Sequence, residues 1–152
     1  MIRKAKVEDL PELFSIAERF TEESSLKLTF DREVANTTFF KYINGENTIF
    51  LIYEYDNLIT GGIMGVVQRD FHKESSAYIT KLYIEKEFRG LSISRYLLEE
   101  FEVEASKLGA SMIFSSATAG MGERVEKLYS NLFKRYGYQV LGRVLVKEMK
   151  SG

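Results

Sequence analysis

One stretch of the chain places a strand, a long helix and a second strand in immediate succession. Residues 77–84 are rich in β-branched and aromatic side chains, which favours a strand. Residues 91–108 carry apolar side chains at helical spacing and are followed by Gly109, a typical helix stop. Residues 111–116 can form a short strand. Because a strand–helix–strand unit of this length joins parallel strands, the sequence predicts an α/β domain.

The N-terminal part of the chain predicts one short strand and two helices. Residues 2–6 can form the strand. Asp9 is a candidate helix cap, with Pro11 in the first turn and Glu12 three residues after the cap. A second helix is predicted over residues 31–43. The side chains that we expect on the two buried faces are Leu10, Leu13, Phe14, Ala17 and Phe20, then Val34, Phe39 and Ile43.

A β-hairpin is predicted in the middle of the chain. Residues 48–55 and 58–67 are strand-like, and Asp56-Asn57 between them is a plausible two-residue turn. Glycines in the second arm predict a bulge or a close backbone approach; they are Gly61, Gly62 and Gly65.

The C-terminal part predicts a last helix over residues 122–136 and one or two closing strands over residues 137–149. The predicted order is β-α-α-β-β-β-α-β-α-β-β, in a mixed, mostly antiparallel sheet with helices on both faces. The sequence shows no repeat and no linker, so residues 1–152 are interpreted as a single domain.

Composition excludes several kinds of protein. The formal net charge is −1, from 21 basic and 22 acidic side chains, which disfavours a nucleic-acid partner. Cysteine is absent and His72 is the one histidine, so no metal cofactor, disulfide or cysteine nucleophile is expected. No apolar run approaches the ~18 residues of a membrane span, and the N-terminus resembles no signal peptide. We therefore expect no membrane partner and a cytoplasmic location.

The segment between the strand at residues 77–84 and the following helix is a candidate ligand site. It is a short basic loop, and the helix opens with small residues at alternate positions. The free N–H groups of a first helical turn suit a phosphate oxygen, and Arg89 and Arg95 flank them. The alternative is an ordinary loop whose serines cap the helix. These residues alone leave the two interpretations about equal.

Five segments in order carry a wider pattern: Ile2-Arg3-Lys4-Ala5 with Glu8-Asp9-Leu10-Pro11; Leu82-Tyr83-Ile84; Arg89 through Ser94 followed by Leu97-Leu98; Leu128-Tyr129; and Gly137-Tyr138. Together they resemble the GNAT superfamily of acyl-coenzyme A-dependent N-acyltransferases. The segment from Arg89 to Ser94 is similar to that family's Arg/Gln-x-x-Gly-x-Gly/Ala signature.

The resemblance implies a V-shaped split between the fourth and fifth strands, in which freed backbone groups bind the pantetheine arm of acetyl-CoA. The loop and helix start would hold the pyrophosphate, and Tyr129 would protonate the departing thiolate. The acceptor would be a primary amine of a small molecule or a protein amino group. The cofactor-binding residues that it implies are Leu82, Tyr83, Ile84, Arg89, Gly90, Leu91, Ser92, Ile93, Ser94 and Arg95. The alternative is a catalytically impaired binding or regulatory protein on the same fold.

Two positions depart from the family pattern. Ser92 and Ser94 stand where the family has glycine or alanine, which adds bulk where a phosphate must approach the backbone. Counted back from Gly137, Phe133 rather than Tyr129 takes the place of the family's tyrosine. The two lie about one helical turn apart and share a face, and we favour Tyr129.

The general base is left unassigned. In several relatives an acid or a histidine stands where this chain has Tyr78 or Thr80, and neither is a good base at neutral pH. Glu74, acting through a water, and His72 are alternatives. The oligomeric state is also open, with a homodimer among the alternatives.

Overall fold

A computed structural model of the chain describes residues 1–116 and 121–149. Its strands are β1 (Ile2–Lys4), β2 (Thr48–Tyr55), β3 (Leu58–Gln68), β4 (Ser75–Ile84) and β5 (Ala110–Ser115). Its helices are α1 (Leu10–Glu23), α2 (Arg32–Asn44), α3 (Ile93–Lys107) and α4 (Glu123–Arg135). Short 3₁₀ turns at Val7–Asp9 and Lys86–Phe88 precede α1 and α3.

The strands form one sheet in the order β1-β2-β3-β4-β5. The first three pairs are antiparallel, and β4 and β5 are parallel, joined through α3. The prediction of a mixed, mostly antiparallel sheet with one parallel pair is therefore confirmed.

The β2–β3 hairpin has the predicted two-residue turn. Asp56 and Asn57 have φ of 51° and 62°, the left-handed conformations that a type I′ turn requires. Further along β3, Gly65 allows α3 to pack closely on the sheet. A Cβ at this position would lie 2.5 Å from the ring of Phe101 and 2.6 Å from the carbonyl oxygen of Tyr78. The close approach predicted for this arm is confirmed.

Helices cover both faces of the sheet, as predicted. On one face the buried side chains of α3, among them Leu97 and Phe101, pack with Phe133 of α4. On the other face Leu13 of α1 and Phe39 of α2 form a second core. The prediction that Val34 is buried is wrong, because it is 63% exposed. Val34 lies five residues before Phe39, about 140° around the helix, so α2 turns it toward solvent.

The starts of α1 and α2 differ. Asp31 caps α2 as predicted, and its Oδ1 accepts from the Val34 amide at 3.0 Å. Helix α1 begins after Asp9 as predicted, with Pro11 in its first turn, but Asp9 has a helical conformation and its side chain makes no capping hydrogen bond to the helix. Its carboxylate instead accepts from the Lys6 amide at 2.9 Å and from both terminal nitrogens of Arg3 at 2.8 Å.

The closing strands predicted over residues 137–149 are not formed in the described residues. The apolar side chains of this segment remain exposed: Val140 by 70%, Leu141 by 80%, Val144 by 62% and Leu145 by 90%. Strand propensity reflects packing on a pleated surface, and in the described structure this segment does not pair with β5, the edge strand that precedes it in the sequence.

Within the described part of the chain, no helix combines the length and the apolar character that a membrane span needs.

Candidate active site

Within the described residues, the pairing of the parallel strands β4 and β5 ends before β4 does. Their pairing stops where Ile79 faces Ser115, the last residue of β5. On its other side β4 stays paired with β3 as far as Ile84, which faces Gly61. Residues 80–84 therefore extend β4 beyond its pairing with β5. Residues 113–115 face residues 77–79 rather than lying beside residues 82–84.

A bulge in β4 lies at the position where its pairing with β5 stops. Ile79 faces Gly65 and Lys81 faces Met64, so Thr80 is an extra residue on β4. The Thr80 hydroxyl donates to the Met64 carbonyl at 3.2 Å and lies 3.0 Å from the hydroxyl of Tyr42 in α2. Thr80 is thereby fixed against the α2 side of the sheet.

A short loop leads from the end of β4 to the start of α3. Gly90 has φ of 87°, and Ser92, the residue before α3, has φ of 66° and ψ of 11°. The first helical hydrogen bond runs from the Tyr96 amide to the Ser92 carbonyl at 3.1 Å. The amides of residues 93–95 precede it and have no carbonyl within the helix to pair with, so they suit an anion.

The left-handed φ at Ser92 gives a physical reason for glycine at this position. A side chain in that conformation meets the backbone, whereas glycine has no Cβ. The neighbouring side chains point in different directions. Leu91 is 61% exposed and Ile93 is buried, while the Arg95 guanidinium lies 5.0 Å from the Tyr96 ring centroid. Arg95 therefore lies at the surface beside the helix start.

Arg89 is held by partners that the sequence did not indicate. Its Nε donates to the Ile84 carbonyl at 2.9 Å, and its two Nη atoms donate to the Glu23 carboxylate at 2.5 and 2.8 Å. Glu23 is the last residue of α1, and its side chain is 14% exposed. Because Glu23 and Arg89 are 66 residues apart, no local sequence signal could have paired them.

Tyr83 completes a cluster around Glu23. The Arg89 guanidinium lies 5.3 Å from its ring centroid, and Phe20 of α1 meets the ring edge-on at 5.5 Å. Burial raises the pKa of Tyr83, and its hydrogen bond with Glu23 adds to the rise. The hydrogen bonds from Arg89 lower the pKa of Glu23, so this carboxylate is a weak base.

Tyr129 and Phe133 occupy different surroundings on α4. Phe133 is 8% exposed and meets the Tyr138 ring edge-on at 4.9 Å, within the core. Burial raises the pKa of Tyr129 to about 12; the charge of Arg89 opposes the rise and Glu23 adds to it. Tyr129 therefore keeps its phenolic proton at neutral pH and lies within electrostatic reach of the ion pair. That position supports aligning Tyr129, rather than Phe133, with the family's tyrosine, and the role of Tyr129 as proton donor stays a prediction.

The candidate bases are not brought together. His72 and Glu74 are exposed in the loop before β4, and the Tyr78 ring stacks on Phe114 at 5.3 Å. The general base therefore stays unassigned.

A sequence profile of the Acetyltransferase (GNAT) family matches residues 10–133. The chain therefore belongs to the GNAT family of acetyltransferases. None of the curated proteins matches the sequence.

Solved structures share the fold. A predicted acetyltransferase from Clostridium acetobutylicum, crystallised with acetyl-CoA, is 23% identical with a TM-score of 0.76, covering 97% of this chain and 95% of that one. An acetyltransferase from Vibrio fischeri is 26% identical with a TM-score of 0.66, covering 77% and 95%. Glucosamine-6-phosphate N-acetyltransferase from Arabidopsis thaliana is 12% identical with a TM-score of 0.76, covering 99% and 98%.

Proposed function

We propose that the protein transfers the acetyl group of acetyl-CoA to a primary amine. The observation that carries the proposal is the end of β4, which has no β5 partner among the described residues and leads through a short loop to a helix start whose amides have no partner within the helix. An extended ligand with a phosphate group at one end fits this combination. Backbone groups of residues 80–84 would pair with the pantetheine amides, and the amides of residues 93–95 would bind the pyrophosphate.

The chemistry needs alignment, polarisation of the thioester carbonyl and the transfer of two protons. The amine nitrogen attacks the thioester carbon, and the C–N bond forms as the carbonyl oxygen becomes an oxyanion. An exposed amide of β4 would stabilise that oxyanion. As the intermediate collapses, the C–S bond breaks and the sulfur takes a proton, for which Tyr129 is the proposed donor. The proton lost from the nitrogen passes to water.

The acceptor is proposed to be a small-molecule amine or a protein amino group. Solved structures of the same fold include aminoglycoside acetyltransferases and the glucosamine-6-phosphate enzyme, whose acceptors are small amines. Their identity to this chain is 17% and 12%, so they support the fold and the chemical class of acceptor rather than one substrate.

Two observations motivate a second candidate, a binding or regulatory protein on this fold that has lost catalysis. Ser92 occupies a strained backbone position that glycine fits better, and Arg89 already bonds a carbonyl at the end of β4.

The test is an assay of thiol release from acetyl-CoA over a panel of amines that includes aminosugars, polyamines and peptides with free amino groups. Turnover with any of them supports the enzyme. Binding of acetyl-CoA without turnover on any amine, while a known acetyltransferase is active in the same assay, would support the binding protein.

A further inference from the structure

The ion pair between Glu23 and Arg89 joins the end of α1 to the loop between β4 and α3. Glu23 ends α1, which packs on the same face as α2, whereas Tyr129 belongs to α4 on the opposite face. The charges of both Arg89 and Glu23 act on Tyr129. The ion pair therefore joins α1 to the loop that follows β4, and its charges also act on Tyr129 of α4.

The carbonyl that Arg89 bonds belongs to the open edge of β4. The Glu85 amide donates to the Thr60 carbonyl of β3 at 2.9 Å. In an antiparallel ladder the groups of the preceding residue point the other way, so the Ile84 carbonyl faces the side of β5. Because β5 ends earlier among the described residues, the Arg89 Nε lies where the amide of a neighbouring strand or of a ligand would bond.

We propose that Arg89 is a displaceable occupant of the cofactor slot and that Glu23 is the positioning residue that holds it there. This inference rests on the proposed use of acetyl-CoA. On binding, a pantetheine amide takes over the Ile84 carbonyl, and Arg89 exchanges the Glu23 carboxylate for the pyrophosphate. Glu23 thereby competes with the cofactor for one guanidinium and sets the cofactor's affinity.

The competing explanation is a purely structural ion pair, which holds the loop between β4 and α3 in shape and does not exchange partners. The two explanations predict opposite signs for Glu23→Gln. The glutamine keeps the size of the side chain and a hydrogen bond to Tyr83 but removes the charge that retains Arg89. If Glu23 competes with the cofactor for Arg89, removing its charge tightens the binding of acetyl-CoA. If the ion pair only holds the loop in shape, removing the charge weakens the binding.

The experiment is calorimetric titration of acetyl-CoA into the wild type, Glu23→Gln and the control Glu22→Gln. Glu22 is the exposed neighbour of Glu23, so its variant removes the same charge from the same helix end. We expect Glu23→Gln to bind acetyl-CoA about tenfold more tightly, the scale of one charge-assisted hydrogen bond. Glu22→Gln should stay within about twofold of the wild type, because an exposed charge is screened by solvent and salt.

Unchanged or weaker binding by a folded Glu23→Gln protein, beside normal binding by the wild type, would overturn this inference alone. Absence of binding by the wild type would instead contradict the proposed function. If Glu23→Gln does not fold, the inference can be tested on the wild type instead. The observable is the Nε–H resonance of Arg89 in a nitrogen-15 spectrum. We expect acetyl-CoA to shift this resonance and speed its exchange with solvent; a resonance unchanged at saturation would also overturn the inference.

Discussion

The carboxylate of Glu23 and the guanidinium of Arg89 form two hydrogen bonds, at 2.5 and 2.8 Å, across 66 residues of sequence. The contact joins the end of α1 to the loop that opens α3. Because residues 24–31 follow Glu23 directly, the pair connects the proposed cofactor loop to the connection between α1 and α2. We therefore expect a change in the conformation of either segment to alter the other through this ion pair.

Ser92→Gly should stabilise the protein by about 0.5–1 kcal/mol. Glycine removes the strain of a side chain on a left-handed backbone, and this gain exceeds the cost of the conformational entropy that glycine adds to the unfolded chain. The matched control is Ser94→Gly, which places glycine inside α3 and should destabilise by about 0.5–1 kcal/mol. Urea unfolding of the three proteins measures both effects. Equal losses of stability in the two variants would show that the conformation of Ser92 is not strained.

Gly65→Ala should destabilise the protein by about 1–3 kcal/mol, the usual effect of overpacking. The added methyl group would meet the Phe101 ring at 2.5 Å and the Tyr78 carbonyl oxygen at 2.6 Å. Gly142→Ala is the control, because among the described residues nothing lies within 4 Å of a Cβ placed there. Thermal unfolding should separate the two variants; indistinguishable melting temperatures would contradict the close packing of α3 on β3.

Asp9→Asn should destabilise the protein at neutral pH by about 1–2 kcal/mol, because Arg3 loses a charged partner but keeps Glu54. The hydrogen bonds from Arg3 lower the pKa of Asp9 below its ordinary 3.8. Its stabilising contribution is therefore complete above pH 3.8 and is lost as the pH falls through the lowered folded-state value.

The measurement is the free energy of unfolding of wild type, Asp9→Asn and the exposed control Glu8→Gln between pH 7 and about pH 2. The gap between wild type and Asp9→Asn should close at the acid end. A constant gap over the whole range would mean that the Asp9 charge is not what stabilises the turn.

Tyr129→Phe should lower kcat by about a hundredfold or more with little change in affinity for acetyl-CoA, because the phenol acts when the thiolate departs. Tyr55→Phe, at a 59% exposed position, is the matched control and should keep full turnover. Adding Phe133→Tyr to Tyr129→Phe should not restore activity, since the new hydroxyl would lie about 5–6 Å away, one helical turn along. Full turnover by Tyr129→Phe would mean that the ring only packs.

Much of the fold followed from local sequence patterns. The Asp56-Asn57 turn and the strand–helix–strand unit depend on neighbouring residues and were predicted correctly. The side-chain cap at Asp9 failed because its carboxylate bonds Arg3 and the Lys6 amide instead. The closing strands were not found because strand propensity alone does not pair a segment with a sheet edge, and β5 stays the last strand of the described residues. Glu23 was missed for the same kind of reason, since its importance arises only when α1 and β4 are brought together.

We propose above that acetyl-CoA lies along the end of β4 with its pyrophosphate on the start of α3. Titration of acetyl-CoA into nitrogen-15-labelled protein, followed through backbone amide resonances, tests it most directly. We expect the largest shifts at residues 82–84 and 90–95, with the amides of α2 nearly unchanged. Saturation with acetyl-CoA that shifts resonances elsewhere and leaves residues 90–95 unmoved would contradict it.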